Sequence, residues 1–130
     1  MPGAASRSPF QYAVLRVVPR IERGECINAG VVLFARTLDY LGMRVALDAD
    51  RLRALDPGTD PGPVAAQLEG RARIAAGDPG AGPIARMAAH QRFHWLVAPS
   101  STVVQPSAVH TGLCDDPAAT LERLFAVLVA

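Results

Sequence analysis

The chain has no lysine; all thirteen of its cations are arginine. No lysine amine is therefore present to form a Schiff base, and every positive charge sits on a planar fork suited to bidentate carboxylate or phosphate contacts. The same bias, with abundant Ala, Gly, Pro and Val, is what a GC-rich bacterial genome produces. A surplus of one charge is also missing. Thirteen arginines face twelve acids, for a net charge of +1, whereas a dedicated phosphate-backbone binder carries a basic excess. Nucleic acid is thus not expected as a partner. The two cysteines, Cys26 and Cys114, lie far apart without a secretory leader. They read as reduced thiols and point to the cytoplasm, not to a disulfide framework. No apolar run approaches the ~18 residues that a membrane-spanning helix needs, so no membrane association is expected.

What is present is a globular composition. Half of the 130 residues are hydrophobic and 19% are charged, which excludes disorder for most of the length. That length suits one core and not two. The expected organisation is a flexible N-terminal arm over residues 1–9 followed by a single α+β domain over residues 10–130.

Periodicity supplies the elements. Phe10 to Val18 is rich in β-branched and aromatic residues, with both alternating faces largely apolar, and reads as a central strand. Arg16 is its exception and shares a face with Tyr12 and Val14. Ile27 to Arg36 is a second strand. Strict alternation from there would place Ile27, Val31 and Leu33 on one face and Asn28, Val32 and Phe34 on the other; Gly30 marks a bulge or a close backbone approach. Tyr40 to Leu47 completes a three-stranded antiparallel meander with Leu41, Met43, Val45 and Leu47 inward. An aspartate before RLRAL caps a short helix that ends at Asp56-Pro57-Gly58. Asp60 or Gly62 starts a helix over residues 63–76 with Val64, Leu68 and Ala75 inward, and Ile84 to Gln91 forms a third. Phe93 to Val97 and Thr102 to Thr111 look β-like, with Pro106 on an edge or at a bulge and Gly112 as the break. Asp115 or Asp116 caps a last helix beginning at Pro117, whose Leu121, Leu124, Phe125 and Leu128 share one face. The expected architecture is an antiparallel sheet of four or five strands, three from the meander, packed with the middle and C-terminal helices.

No strong catalytic or nucleotide-binding motif is present, and no cofactor is expected. The glycine-rich GDPGAG at residues 77–82 lacks both the preceding strand and the following Lys-Ser/Thr of a phosphate loop, and reads as a linker. Two looser constellations remain. Arg16, Arg20, Arg23, Glu25 and Asn28 surround the first turn, where arginine forks could hold an anion or simply pair with Glu22 and Glu25 in a solvated loop. Arg92, His94 and Trp95 precede His110, Thr111, Asp115 and Asp116; if the two β-like segments pair, His94 approaches His110. That spacing is too open for a metal motif. Cys114 lies before a helix N-terminus, which can lower a thiol pKa, yet a buried inert thiol is the better reading. Cys26 reads as a strand-edge packing residue.

The stretches YAVLRVVPRIERGECINAGVVLF and RFHWLVAPSSTVVQPSAVHTGLCDDP resemble the small bacterial proteins grouped as domain of unknown function 3037, over nearly the whole chain. The resemblance implies a short stand-alone protein encoded near HipA-like, toxin-type kinases, and hence a protein partner. It also implies recurrent polar positions at Arg16, Arg20, Glu25, Asn28, Arg92, His94, Gln105, His110 and Thr111. One departure stands out: Ser100 occupies a place where the resemblance implies an arginine, which would weaken any anion contact made there.

Three functions follow as expectations. The first is a non-catalytic interaction partner, with the HipA-like kinase as partner or with a second copy docked through the C-terminal helix. The second is a small enzyme or ligand-binding domain for a phosphorylated or carboxylated molecule, its pocket lined by Arg16, Arg20, Arg92, His94 and His110. Nucleic-acid binding is a distant third.

Overall fold

Successive side chains of an extended strand point to opposite sides, so Ala13, Leu15 and Val17 face one way and Tyr12, Val14 and Arg16 the other. The computed structural model, which describes residues 7–130, makes this segment β1 (Ser8–Val17), the centre of a five-stranded antiparallel sheet. On one side lie β2 (Ile27–Ala35) and β3 (Tyr40–Val45), the expected meander. On the other side, β4 (Val104–Pro106) and β5 (His110–Cys114) run end to end along β1. The arm expected over residues 1–9 lies outside the described residues up to position 6. Ser8 and Pro9 already belong to β1, paired with Cys114 and Leu113.

Four helices complete three layers. Against one face pack α1 (Ala49–Leu55), α2 (Pro61–Ala75) and α3 (Ala89–Leu96), around Ala13, Leu15, Val17, Val32, Phe34 and Phe93. Against the other packs α4 (Pro117–Leu128), with its Leu121 over Phe10, Val31 and Leu33. Aspartates start three of them. Asp48 accepts from the Asp50 and Arg51 N–H groups, both at 3.1 Å; Asp60 accepts from Gly62 N–H at 3.0 Å and Asp116 from Ala119 N–H at 3.1 Å. Each meets backbone donors that a helix leaves without partners. Arg44 of β3 fastens α4 to the sheet, its guanidinium 4.6 Å from the Phe125 ring centre and 3.3 Å from the Glu122 carboxylate. No helix among the described residues is long and apolar enough to cross a membrane.

Three expectations need correction. First, strict alternation along β2 fails at Ala29–Gly30, where the β1–β2 register slips by one residue. One extra residue moves everything beyond it to the opposite face. Ile27 and Ala29 therefore join Val32 and Phe34 on the side of α1 to α3, while Val31 and Leu33 face α4. Gly30 fits the close approach there: a Cβ would lie 2.9 Å from Val45 Cγ1 and 3.0 Å from the Arg44 carbonyl. Second, Phe93 to Val97 is helical except for its last residue, which caps α3. Ala89, Phe93 and Leu96 recur at helical spacing and pack into the core, and that periodicity overrides the aromatic content. The helix expected over Ile84 to Gln91 is instead a 3₁₀ turn at Ile84–Arg86, a break at Met87 and Ala88, and then α3, which starts at Ala89 and runs past Gln91. Third, Gly112 does not break the last strand. The Phe10 ring lies where its Cβ would be, 2.6 Å from that position, an aromatic ring covering a cross-strand glycine.

The edge between β4 and β5 is held by Ser107. The β1 pairing slips by one residue between β4 and β5, and Val14 N–H, which has no ladder carbonyl at the slip, donates to Ser107 Oγ at 2.9 Å. The hydroxyl in turn donates to the Ala108 carbonyl at 2.9 Å, and Ser107 is buried. Replacing it with alanine leaves the Val14 N–H without an acceptor, and an orphaned buried donor costs about 1–3 kcal/mol. Ser107→Ala is expected to lower the unfolding free energy by that amount in urea denaturation, with Ser107→Thr closer to the parent.

Candidate functional site

The β1 register brings three side chains into a row across the sheet: Thr111 of β5 opposite Gln11, and Gln11 opposite Phe34 of β2. This row is the floor of a cleft at the end of the sheet that α3 leaves open. One wall is α3, where His90 and His94 stand four residues apart on one helix face and Phe93 stacks on Phe34 with ring centres 5.2 Å apart. The other wall is formed by Pro9, Arg36 and Thr37. Three contiguous cavities of about 290, 210 and 290 Å³ make up the cleft, and all three share Phe34 and Arg36.

Arg36 follows β2 directly, in a 3₁₀ turn (Arg36–Leu38) that ends at Asp39 in the left-handed region, φ 51°. Five other arginines, Arg20, Arg23, Arg44, Arg53 and Arg73, pair with carboxylates. Arg36 is exposed and makes no such pair among the described residues. Asp39 is the one acid on the lining of the three cavities. At its β5 end the cleft opens onto a strand whose outer edge pairs with nothing among the described residues. Leu113 and Val109 stand 60% and 37% exposed there.

Of the ten positions singled out by sequence, His94 and Thr111 line this cleft. Arg16, Asn28 and Gln105 form a second cross-strand row on the α4 face. There the Asn28 amide donates to the Leu128 carbonyl at 3.0 Å and the Gln105 amide to the Thr102 carbonyl at 2.8 Å, so both side chains are engaged in holding the fold. His110 lies on the same face, its ring centre 5.2 Å from that of Tyr12. Since His94 lies beyond the opposite face, the expected approach of His94 to His110 does not occur. Arg20, Arg23 and Glu25 occupy the exposed β1–β2 loop as local ion pairs, Arg20 with Glu22 at 2.9 Å and Arg23 with Glu25 at 2.8 Å. The hydrogen bond from Arg20 holds the Glu22 carboxyl below its usual range. The Thr59 hydroxyl does the same for Asp56, which also feels Arg20 and Arg23. Arg92 ties helices together, donating to the Met87 carbonyl at 2.8 Å and to the Ala75 carbonyl at 3.3 Å. The pocket of Arg16, Arg20, Arg92, His94 and His110 is therefore not assembled. Gln11, Arg36 and His90 were not among the sequence candidates; the four-residue spacing of His90 and His94 was the one local signal that could have exposed the cleft.

The thiols separate cleanly. Cys114 is buried, and burial pushes its pKa up, with Asp115 and Asp116 adding to the effect while Thr120 and Arg123 oppose it. It is a packing residue, not an activated nucleophile. Cys26 is exposed and does not pack at a strand edge. Iodoacetamide is expected to label Cys26 alone in the native protein and Cys114 only in denaturant. Mass spectrometry of the labelled peptides checks this, and native labelling of both at similar rates would contradict it.

The fold and the cleft define a three-layer α+β domain with a ligand-sized groove at the open end of its sheet. The family model for DUF3037, described as a protein of unknown function, matches residues 12–129, and the chain belongs to that family. No curated protein and no solved structure matches it.

Proposed function

We propose that the protein is a non-catalytic interaction partner whose sheet-end cleft accepts an acidic segment of another protein. The observation that carries this reading is Arg36, exposed at the junction of all three cavities and without a carboxylate partner among the described residues. An arginine so placed offers a bidentate fork to a carboxylate. Phe34 on the floor and Phe93 on the α3 wall give the segment apolar contacts, and the exposed Leu113 and Val109 at the mouth extend the surface a partner would cover. His90 and His94 add polar contacts, but among the described residues neither is hydrogen-bonded to a carboxylate that would fix its tautomer for proton transfer. The kinase-like neighbour implied by the family resemblance is the first partner to examine, and it is named on that ground alone.

The test is affinity purification of the tagged protein from its native host at moderate salt, with mass spectrometry of what stays bound. A stoichiometric protein partner released as salt rises is the expected result. Recovery of the chain free of any partner overturns the proposal.

A further inference from the structure

A second cleft lies on the outer surface between α2 and α3, on the side of α3 away from His90 and His94. It measures about 390 Å³ and is lined by Gln67, Arg71, Ile74, Ala81 and Trp95, with Gly70 and Gly80 keeping it open. Gln67, Arg71 and Ile74 recur at helical spacing along α2 and so present one face to it. The Arg71 guanidinium carbon lies 5.5 Å from the Trp95 ring centre. Arg73, at the rim, is committed to Asp78 at 2.8 Å. Arg71 has no carboxylate and no hydrogen-bond acceptor among the described residues.

That combination is costly as it stands. Partial burial removes some of the water around the Arg71 side chain and pushes its pKa down, with no opposing acid among the described residues. A cation that loses hydration needs a counter-charge to recover it, and contact with a tryptophan ring returns only part. A guanidinium resting on an aromatic ring still has its in-plane N–H groups free for an oxyanion. Around it the lining is apolar and flat: Trp95, Ile74 and Ala81.

We infer that this cleft binds a small organic oxyanion, a carboxylate or phosphate monoester carried on a flat apolar body. Arg71 takes the oxyanion, the Gln67 amide adds a hydrogen bond at the rim, and Trp95 with Ile74 and Ala81 receives the body. The site is separate from the sheet-end cleft and does not depend on it.

Trp95 is the single tryptophan of the chain, so its indole N–H gives one resolved signal in a ¹H–¹⁵N spectrum. Titration with phenyl phosphate and with benzoate should move that signal saturably, with dissociation constants in the millimolar range or tighter. Benzyl alcohol, the uncharged comparison, should bind at least about tenfold more weakly. Arg71→Gln should weaken the two anions by about tenfold or more, whereas Arg36→Gln in the other cleft should leave them unchanged. If Arg71→Gln does not fold, Arg71→Lys keeps the charge without the fork and should weaken binding severalfold. No saturable shift with either anion, equal affinity for benzyl alcohol, or anion binding indifferent to the residue at position 71 would overturn the inference.

Discussion

Leu15→Ala is expected to destabilise the domain by about 3–5 kcal/mol. Leu15 has no solvent exposure and sits at the middle of the central strand, paired with Gly30 on one side and Pro106 on the other. The cost of such a truncation depends on whether neighbours can close the cavity. Here they are poorly placed to do so. The flanking glycine has no side chain to lean in, and the Arg44 carbonyl and Val45 already crowd the place of its missing Cβ. Above Leu15, the core side chains of α1 and α2 are held by helices that start at fixed aspartate caps. Urea denaturation should show the midpoint falling with little change in slope. The thermal midpoint should drop by roughly 10–20 °C. Val127→Ala, on a side chain 75% exposed, should stay within about 0.5 kcal/mol of the parent. A loss below about 1.5 kcal/mol for Leu15→Ala would mean that the layers can close on the gap and that this core is less constrained than the bulge implies.

The parts of this fold that could be read in sequence are those whose causes are local. An aspartate, a proline in the first turn and an apolar stripe are enough to specify α4, and the caps of α1 and α2 are equally self-contained. The meander followed from alternation and short turns. What escaped depends on contacts between distant residues. The bulge at Ala29–Gly30 changes which face each β2 side chain occupies, yet its sequence signal is one glycine that fits several explanations. In α3, aromatic residues suggested a strand, and only the burial of Ala89, Phe93 and Leu96 beneath the sheet decided for a helix. The candidate site was harder still. Thr111, Gln11 and Phe34 become neighbours through strand register, and nothing local announces that Arg36 ends at their row. Arg92 shows the converse: a polar position expected to bind a ligand instead satisfies two backbone carbonyls at the α2–α3 junction.

Arg36→Glu should abolish the partner contact proposed for the sheet-end cleft, lowering affinity by about a hundredfold or more, near 3 kcal/mol. Two losses combine. The fork that would pair with an acidic group disappears, and a like charge takes its place at the point where all three cavities meet. Asp39 already lines one of those cavities, so a glutamate beside it turns an attractive junction into a repulsive one. Folding should be little affected, because Arg36 is exposed and has no ion pair to lose among the described residues. Arg123→Glu makes the same charge change at an exposed position of α4 and should cost little, separating the local contact from a general response to net charge. Arg36→Lys should retain part of the affinity, since it keeps the charge but not the bidentate geometry. The readout is titration calorimetry with the partner recovered from the native host, at two salt concentrations. Equal losses for Arg36→Glu and Arg123→Glu would assign binding to diffuse electrostatics. No loss for Arg36→Glu would move the contact out of this cleft.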